Sequence, residues 1–561
     1  MRDACGLNPS SHLLAVHAVT IAPTRTVTDN GEVNWWLDDR PLRETLARLL
    51  DEETLSRAKP FLEEMGRAAP GFYAPRARSA DRNPPVLERY DRAGRRVDRI
   101  VYHPEYLEMT RAVYGAGIVR PRDDRGPLPQ VVKFALGYLF AQAESGLYCP
   151  VACTDGVVRV LERFDRPLAE RWVPRLTATD DSLLQGAMFM TEKAGGSDLS
   201  RVETVARHEG GAWRLHGEKW FCSNVDAGLI LTIARTTGDP GTKGLSMFLV
   251  PRELEGEPNG VRIERLKEKL GTRSMPTGEV VYEGARGFLV GEEGRGIHAA
   301  AGLFNLSRIY NAVASVAAGK RGLREAIENA TAREAFGATV ARQPLAMQDL
   351  ARLAVELEAN LALVFETAAL LDRVDAGGSE SDRRLLRILT PIAKLITGAF
   401  AVRATSQAIE LRGGNGYVED FDTPRLLRDA QVLPIWEGTT NVLVLDALRS
   451  MVKEETLPAL LSDARRRLPQ DGELAAEAKQ VLEAIERLEE EAPLVLGGQT
   501  ARAKVFVERL ALAHRGALLV EAAEHDRGHQ VARHWVEGFL TPGMEQSALD
   551  LGEEYDELLG L

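Results

Sequence analysis

Between about residues 183 and 290 the apolar residues recur at every second position, whereas on both sides they recur three and four apart. Side chains alternate between the faces of a strand but line up at i, i+3 and i+4 on a helix, so this order commits the chain to a small sheet flanked by helical bodies. The strand candidates are Ala212 to Leu215 after Gly210-Gly211, Leu229 to Ala234, Leu245 to Val250, Val261 to Leu266 and Glu279 to Tyr282. Short runs spaced by Gly and Pro turns predict a small antiparallel barrel or sandwich. Upstream, about 38 to 180 reads as helical, broken by an Arg- and Pro-rich stretch from Arg76 to Arg99 that predicts an irregular insertion.

Downstream of Gly294-Arg295-Gly296 the helical period returns, and Leu350, Leu353, Leu357, Leu361, Val364, Ala368 and Leu371 trace one apolar stripe of the kind found in antiparallel bundles. Gly377-Gly378-Ser379 ends that helix; further helices cover about 383 to 412 and 439 to 453, and an amphipathic helical segment follows from about 455. The fold class is multidomain α+β, in four units: 1–182 helical, 183–290 a β-barrel, 291–453 a helical bundle and 454–561 an additional helical domain.

A chain of 561 residues exceeds one core, and 44% hydrophobic with 27% charged residues is the balance of a soluble globular protein. No stretch reaches the roughly 18 uncharged apolar residues that a membrane helix needs. The run Leu13 to Ala22 is short and interrupted by His17, so neither a membrane anchor nor a signal peptide is expected, and the location expected is cytoplasmic. Cys5, Cys149, Cys153 and Cys222 fit neither a disulfide framework nor a zinc site; no metal is expected, and Cys149 and Cys153 read as buried thiols one helical turn apart.

The net charge of −12 opposes bulk attraction to nucleic acid, and Met451 to Leu561 carries 12 Lys/Arg against 22 Asp/Glu. Within that segment Arg465-Arg466-Arg467 reads as a solvated helix face. The eight arginines between Arg76 and Arg99, set against Asp81, Glu88, Asp91 and Asp98, are the better basic candidate, or else an interface segment.

Five segments can carry chemistry. Leu433-Pro434-Ile435-Trp436-Glu437-Gly438-Thr439-Thr440-Asn441 sets a carboxylate among apolar neighbours just before a helix that Thr439 or Thr440 can cap; Glu437 is either a base or an acid placed favourably near a helix N-terminus. Met188-Phe189-Met190-Thr191-Glu192-Lys193-Ala194-Gly195-Gly196-Ser197-Asp198 suits a loop whose backbone donors approach phosphate or a ring edge, or a plain turn. Lys219-Trp220-Phe221-Cys222-Ser223-Asn224 could meet a flat heteroaromatic cofactor or pack in a β core. Ala332-Arg333-Glu334-Ala335-Phe336-Gly337 reads as a cation resting on an aromatic, and Arg412-Gly413-Gly414-Asn415-Gly416-Tyr417 as a turn.

Taken together and in this order, these segments resemble the acyl-CoA dehydrogenase family from about residue 140 to 450. Asn83-Pro84-Pro85, Arg89-Tyr90-Asp91, Gly94-Arg95-Arg96, His103-Pro104 and Met190-Thr191-Glu192-Lys193 are similar to its AidB-type branch, an isovaleryl-CoA dehydrogenase-like group tied to the alkylation response that carries an extra C-terminal helical domain.

The resemblance implies an FAD-dependent oxidoreductase of fatty acid metabolism acting on an acyl-CoA, with electron-transfer flavoprotein or oxygen as acceptor. It implies that Glu437 removes the α-proton while the β-hydrogen leaves as hydride to the flavin. Met190, Thr191, Gly196 and Ser197 would contact the isoalloxazine and pyrophosphate, and Phe221 and Ser223 would lie against the ring. Arg333, Phe336, Gly413 and Gly414 would reach the adenine half of the FAD of a neighbouring subunit, and Thr439 and Asn441 would approach from beside the base. A shared cofactor implies at least a dimer, and the family's usual state is a homotetramer. Glu410 and Arg412 depart from the family pattern ahead of the double glycine, and Pro344 follows Gln343 where a flavin-contacting Gln is common. Ser307 stands where isovaleryl- and long-chain-type members carry their base, which leaves Glu437 for that role. The branch's other association, DNA binding through a basic C-terminal domain, is disfavoured by the acidic segment here.

Overall fold

The structure, a computed structural model, describes residues 33–540 and 555–560. Cys5 and the run Leu13 to Ala22 lie outside the described residues. The first helical body contains α1 (Arg40–Leu49), α2 (Glu52–Ala68), α3 (Ala74–Arg82), α4 (Pro104–Gly115), α5 (Gln130–Ala141), α6 (Ser145–Phe164) and α7 (Arg166–Leu176). Asp39, Asp51, Glu144 and Asp165 start α1, α2, α6 and α7 by accepting from backbone N–H groups of the first turn.

The stretch from Arg76 to Arg99 is ordered, contrary to the irregular backbone expected. Its first part is α3, and its second is a hairpin of β1 (Val86–Tyr90) and β2 (Arg96–Val101) turned by the Asp91 carboxylate, which accepts from the Ala93 and Arg95 amides. The alternation that marks a hairpin is hidden in sequence because its outer face also carries Val86, Tyr90, Val97 and Val101. Asp98 and Arg96 dock the hairpin on the barrel at Ile263, through bonds of 3.0 and 2.8 Å to its N–H and carbonyl. Seven of the eight arginines are engaged within the molecule, among them Arg76 with Glu108, Arg78 with Asp422, Arg96 with Asp98 and Arg99 with Glu88.

The sheet has seven strands, β3 (Gly186–Phe189), β4 (Val205–Glu209), β5 (Ala212–Ser223), β6 (Leu229–Arg235), β7 (Leu245–Pro251), β8 (Val261–Leu266) and β9 (Thr277–Val290). The fourteen-residue β9 pairs with β8, β5 and β7, and the pairings β9, β7, β6, β4, β5 and back to β9 close on themselves. Two pairs, β3 with β6 and β4 with β6, are parallel. Along β6 every residue from Leu229 to Ala234 is buried: Ile230 and Ala234 face the barrel interior, whereas Leu229, Leu231 and Ile233 join the helical core. A strand covered on both faces has no polar side, so it reads as a continuous apolar run.

The bundle contains α8 (Gly296–Ala332), α9 (Pro344–Asp375) and α10 (Glu380–Arg412), with a hairpin of β10 (Glu334–Ala335) and β11 (Ala338–Thr339) between the first two. All seven stripe residues of α9 are buried. A Cβ at Gly319 of α8 would lie 2.3 Å from the Phe400 ring of α10, so glycine is what lets these helices approach. By length and composition α10 could cross a membrane, but 72% of its apolar window is buried inside the protein and it serves as a core helix. Ser379 starts it with a capping box to Asp382.

Next come α11 (Gly414–Tyr417), α12 (Thr423–Ala430) and α13 (Thr440–Glu454), and then the additional helices α14 (Thr456–Arg466), α15 (Ala475–Leu496), α16 (Ala503–Ala522), α17 (Asp526–Trp535) and α18 (Tyr555–Leu559). Arg467 corrects the expectation of a solvated arginine face. Its side chain is 3% exposed and is bonded to Asp463, to Glu366 of α9 and to Glu521 of α16.

Candidate active site

Glu437 lies on the turn between α12 and α13, half-buried, with φ of 58°, followed by Gly438 at φ of 106°. A non-glycine residue in the left-handed region is held there by its surroundings. Two cations do so: Lys394 of α10 donates Nζ to the Gly438 carbonyl at 2.5 Å, and Arg308 of α8 donates Nε to the Glu437 carbonyl at 3.3 Å. Arg308 is itself set by Asp446 of α13, which Arg387 of α10 also grips. Thr439 occupies the N-cap position of α13, but its side chain makes no capping bond, contrary to the expectation.

Desolvation raises the Glu437 carboxyl above the usual carboxylate range, with Arg308 and then Lys394 opposing. Burial likewise pushes the Lys394 ammonium down to about 7, against the pull of Glu437 and with Arg308 adding to the fall. The Cys153 thiol of α6 feels the Glu437 charge. Its interaction with Cys149 and its burial push the thiol well up, the Glu437 charge adds to this, and the Met188 backbone of β3 opposes it. Cys153 is thus the buried thiol expected, whereas Cys149 is half-buried.

Beyond β3, Met190 is buried and Thr191 half-buried, while Gly196 and Ser197 are exposed. The loop folds back so tightly that a Cβ on Gly196 would lie 2.8 Å from the Thr191 side chain. The Thr191 carbonyl accepts from the Trp220 amide at 2.9 Å, which brings the loop beside Phe221 and Ser223 at the end of β5. Phe221 is 58% exposed there, with the Lys267 ammonium 5.1 Å from its ring centre. This set suits the apolar ring and polar edges of a flavin, and the glycine cradle admits a diphosphate.

Arg333, Phe336, Gly413 and Gly414 form a second group at the far end of α10. A Cβ on Gly413 would lie 3.5 Å from the Arg333 guanidinium, and Phe336, at φ of 53° in the tip of the β10–β11 hairpin, is fully exposed rather than covered by the arginine. Gln343 secures that hairpin by donating to the Ala335 carbonyl at 2.8 Å. Nineteen residues of α10 separate Lys394 from Gly413, about 28 Å at 1.5 Å per residue. One chain therefore keeps the two groups apart; exposed Asn441 lies in the first turn of α13, four residues after Glu437.

Sequence reasoning missed Lys394. The available signal was a lone cation inside the apolar run Thr390-Pro391-Ile392-Ala393-Lys394-Leu395-Ile396, on a helix with no other reason to bury a charge. Among the described residues no cluster of His, Cys, Asp and Glu could hold a metal ion.

Family models match three consecutive parts of the chain: the adaptive response protein AidB N-terminal domain over 26–181, the acyl-CoA dehydrogenase middle domain over 187–285 and the acyl-CoA dehydrogenase C-terminal domain over 294–452. Acyl-CoA dehydrogenase family member 11 of Caenorhabditis elegans is 38% identical over 441 residues, 76% of this chain and 72% of that protein. Putative acyl-CoA dehydrogenase AidB of Escherichia coli K12 is 37% identical over 402 residues, 69% of this chain and 73% of that protein. The crystal structure of Caenorhabditis elegans ACDH-11 in complex with C11-CoA superposes with a TM-score of 0.86 at 32% identity, covering 97% of this chain and 95% of that one. The chain belongs to the acyl-CoA dehydrogenase family, in its AidB-type branch.

Proposed function

We propose that this enzyme binds FAD and oxidises an acyl-CoA between its α and β carbons, with Glu437 as the base. The observation that carries the reading is a carboxyl fixed in left-handed backbone on the turn before α13, with its own carbonyl held by Arg308 and the next one by Lys394. When bound, FAD supplies the acceptor for the β-hydrogen, taken as hydride.

Glu437 takes the α-proton, and its raised proton affinity makes it a stronger base than an exposed glutamate. Its backbone N–H donates to no other group among the described residues and is therefore open to the thioester oxygen, where charge develops as the α-proton departs. Thr191, Gly196, Ser197, Phe221 and Ser223, with Met190 beneath, hold the ring and diphosphate; Thr439 and Asn441 stand beside the base. The 28 Å estimated along α10 supports a second copy supplying Arg333, Phe336, Gly413 and Gly414 to its partner's cofactor, hence at least a dimer and, by family habit, a tetramer.

The test is anaerobic mixing of the yellow protein with a panel of acyl-CoAs while flavin absorbance is followed. Bleaching is expected for one chain-length class, and reoxidation by an electron-transfer flavoprotein or by oxygen identifies the acceptor. Glu437→Gln should keep its colour and bleach at least about 100-fold more slowly. Bleaching at the parent rate by that variant disproves the assignment. A protein that never bleaches but retains DNA in a salt-sensitive way supports the branch's DNA-binding role instead. The internal pairing of the Arg76–Arg99 arginines and the acidic C-terminal segment argue against that outcome.

A further inference from the structure

Lys394 is fully buried in the middle of α10 and among the described residues has one hydrogen-bond partner, the carbonyl of the residue that follows Glu437. A buried ammonium with a single carbonyl partner destabilises a fold relative to an apolar side chain of similar length, so the charge calls for a role beyond packing. Its surroundings indicate one. Lys394 and Arg308 hold two consecutive carbonyls, those of Gly438 and Glu437, and these are the residues whose φ values of 106° and 58° aim the carboxyl. Arg308 is neutralised by Asp446, which it shares with Arg387, whereas among the described residues Lys394 lies within ion-pair distance of no carboxylate and feels the Glu437 charge from further away.

We propose that Lys394 is a positioning residue for the catalytic base, fixing the Glu437 loop through the Gly438 carbonyl and favouring the carboxylate form by its charge once substrate has excluded water. The proposal rests on Glu437 being the base. The charged and titratable groups around the pair come from four elements: Arg308 on α8, Asp446 on α13, Arg387 on α10 and the Cys153 thiol on α6. Of these, Arg308 acts on Glu437 in the same sense as Lys394, so removing the lysine weakens the electrostatic support of the carboxylate without abolishing it.

The test uses the FAD-loaded protein and an acyl-CoA that the parent oxidises. Two rates are followed from pH 5 to 9, flavin reduction and exchange of the substrate α-hydrogen with deuterated water, in the parent, Lys394→Met and Lys394→Gln. Flavin absorbance and substrate affinity should stay at parent values, while α-hydrogen exchange slows by about tenfold or more and the acid limb of both profiles moves to higher pH. A purely structural anchor would slow both rates equally at every pH, so an unmoved acid limb in a folded, yellow variant overturns the proposal. Lys394→Gln decides the matter if Lys394→Met does not fold, since it keeps a donor but removes the charge. A Glu437→Gln variant that reduces its flavin and exchanges the α-hydrogen at the parent rates overturns the base assignment and the proposal with it. A normal parent with unaltered variants overturns the proposal alone.

Discussion

At the scale of single residues, the Thr191–Gly196 loop is held by a buried ion pair whose lysine, Lys219, opens one of the five segments singled out in the sequence. Lys219 of β5 is wholly buried and bonds to Glu192 at 2.7 Å and to the Ile233 carbonyl at 2.9 Å. Glu192 also accepts from the amides of Glu203 and Thr204. Burial by itself would raise the Glu192 carboxyl, but the Lys219 charge and these donors outweigh it and hold the group below its usual value. Its stabilisation is therefore present above the unfolded value of about 4.3 and lost as pH falls through the folded one. Lys219→Met should cost about 3–5 kcal/mol by stranding that carboxylate, read as a lower urea midpoint, with part of the loss restored by adding Glu192→Gln. Thr191 and Gly196 were legible as a loop because glycine marks tight backbone. Glu192 was not legible as its anchor, since its partner lies 27 residues away across two strands.

At the scale of elements, α12 joins the barrel to the bundle. A Cβ on Gly271 would meet the Arg428 carbonyl at 2.3 Å, and the neighbouring Thr272 amide donates to Asp429 at 2.6 Å. Burial raises the Asp429 carboxyl to about 7, with Arg425 opposing and Glu144 and Asp81 reinforcing. A folded value above the unfolded one, about 3.9, means that the stabilisation is complete in acid and is lost as pH rises through 7. Asp429→Asn keeps an acceptor for Thr272 and removes this dependence. Between pH 5 and pH 8 its stability relative to the parent should improve by about 2–4 kcal/mol, measured by urea unfolding at the two pH values. The existence of α9, α10 and α13 followed from their apolar period and from breakers such as Gly377-Gly378-Ser379. The β1–β2 hairpin did not, because its outward face is as apolar as its inward one, and period-two patterning needs a contrast between faces.

At the scale of the whole molecule, the additional helices α14 to α17 are fastened to the rest by charge as well as by apolar packing. Arg467 bridges Asp463, Glu366 and Glu521, and Glu366 also meets Arg373 and Arg48 of α1. Arg467→Met would leave three carboxylates facing a reduced set of cations. A loss of about 3 kcal/mol or more is expected, together with earlier protease cleavage after α13 while flavin remains bound. Cleavage unchanged from the parent would show that apolar packing alone docks these helices.

Sequence by itself determined the succession of helical, β and helical parts and the apolar face of each long helix, because these depend on local periodicity, and its contiguous motifs carried the family resemblance that implies Glu437 as the candidate base. Only the tertiary structure decided that the strands close into a ring with two parallel pairs, that Arg467 is buried, that Lys394 and Arg308 grip the Glu437 loop, and that one chain keeps the Glu437 and Arg333 groups apart. Those features join residues tens to hundreds of positions away from each other, and charge and hydrogen-bond partnership across such distances leave no periodic trace in a single sequence.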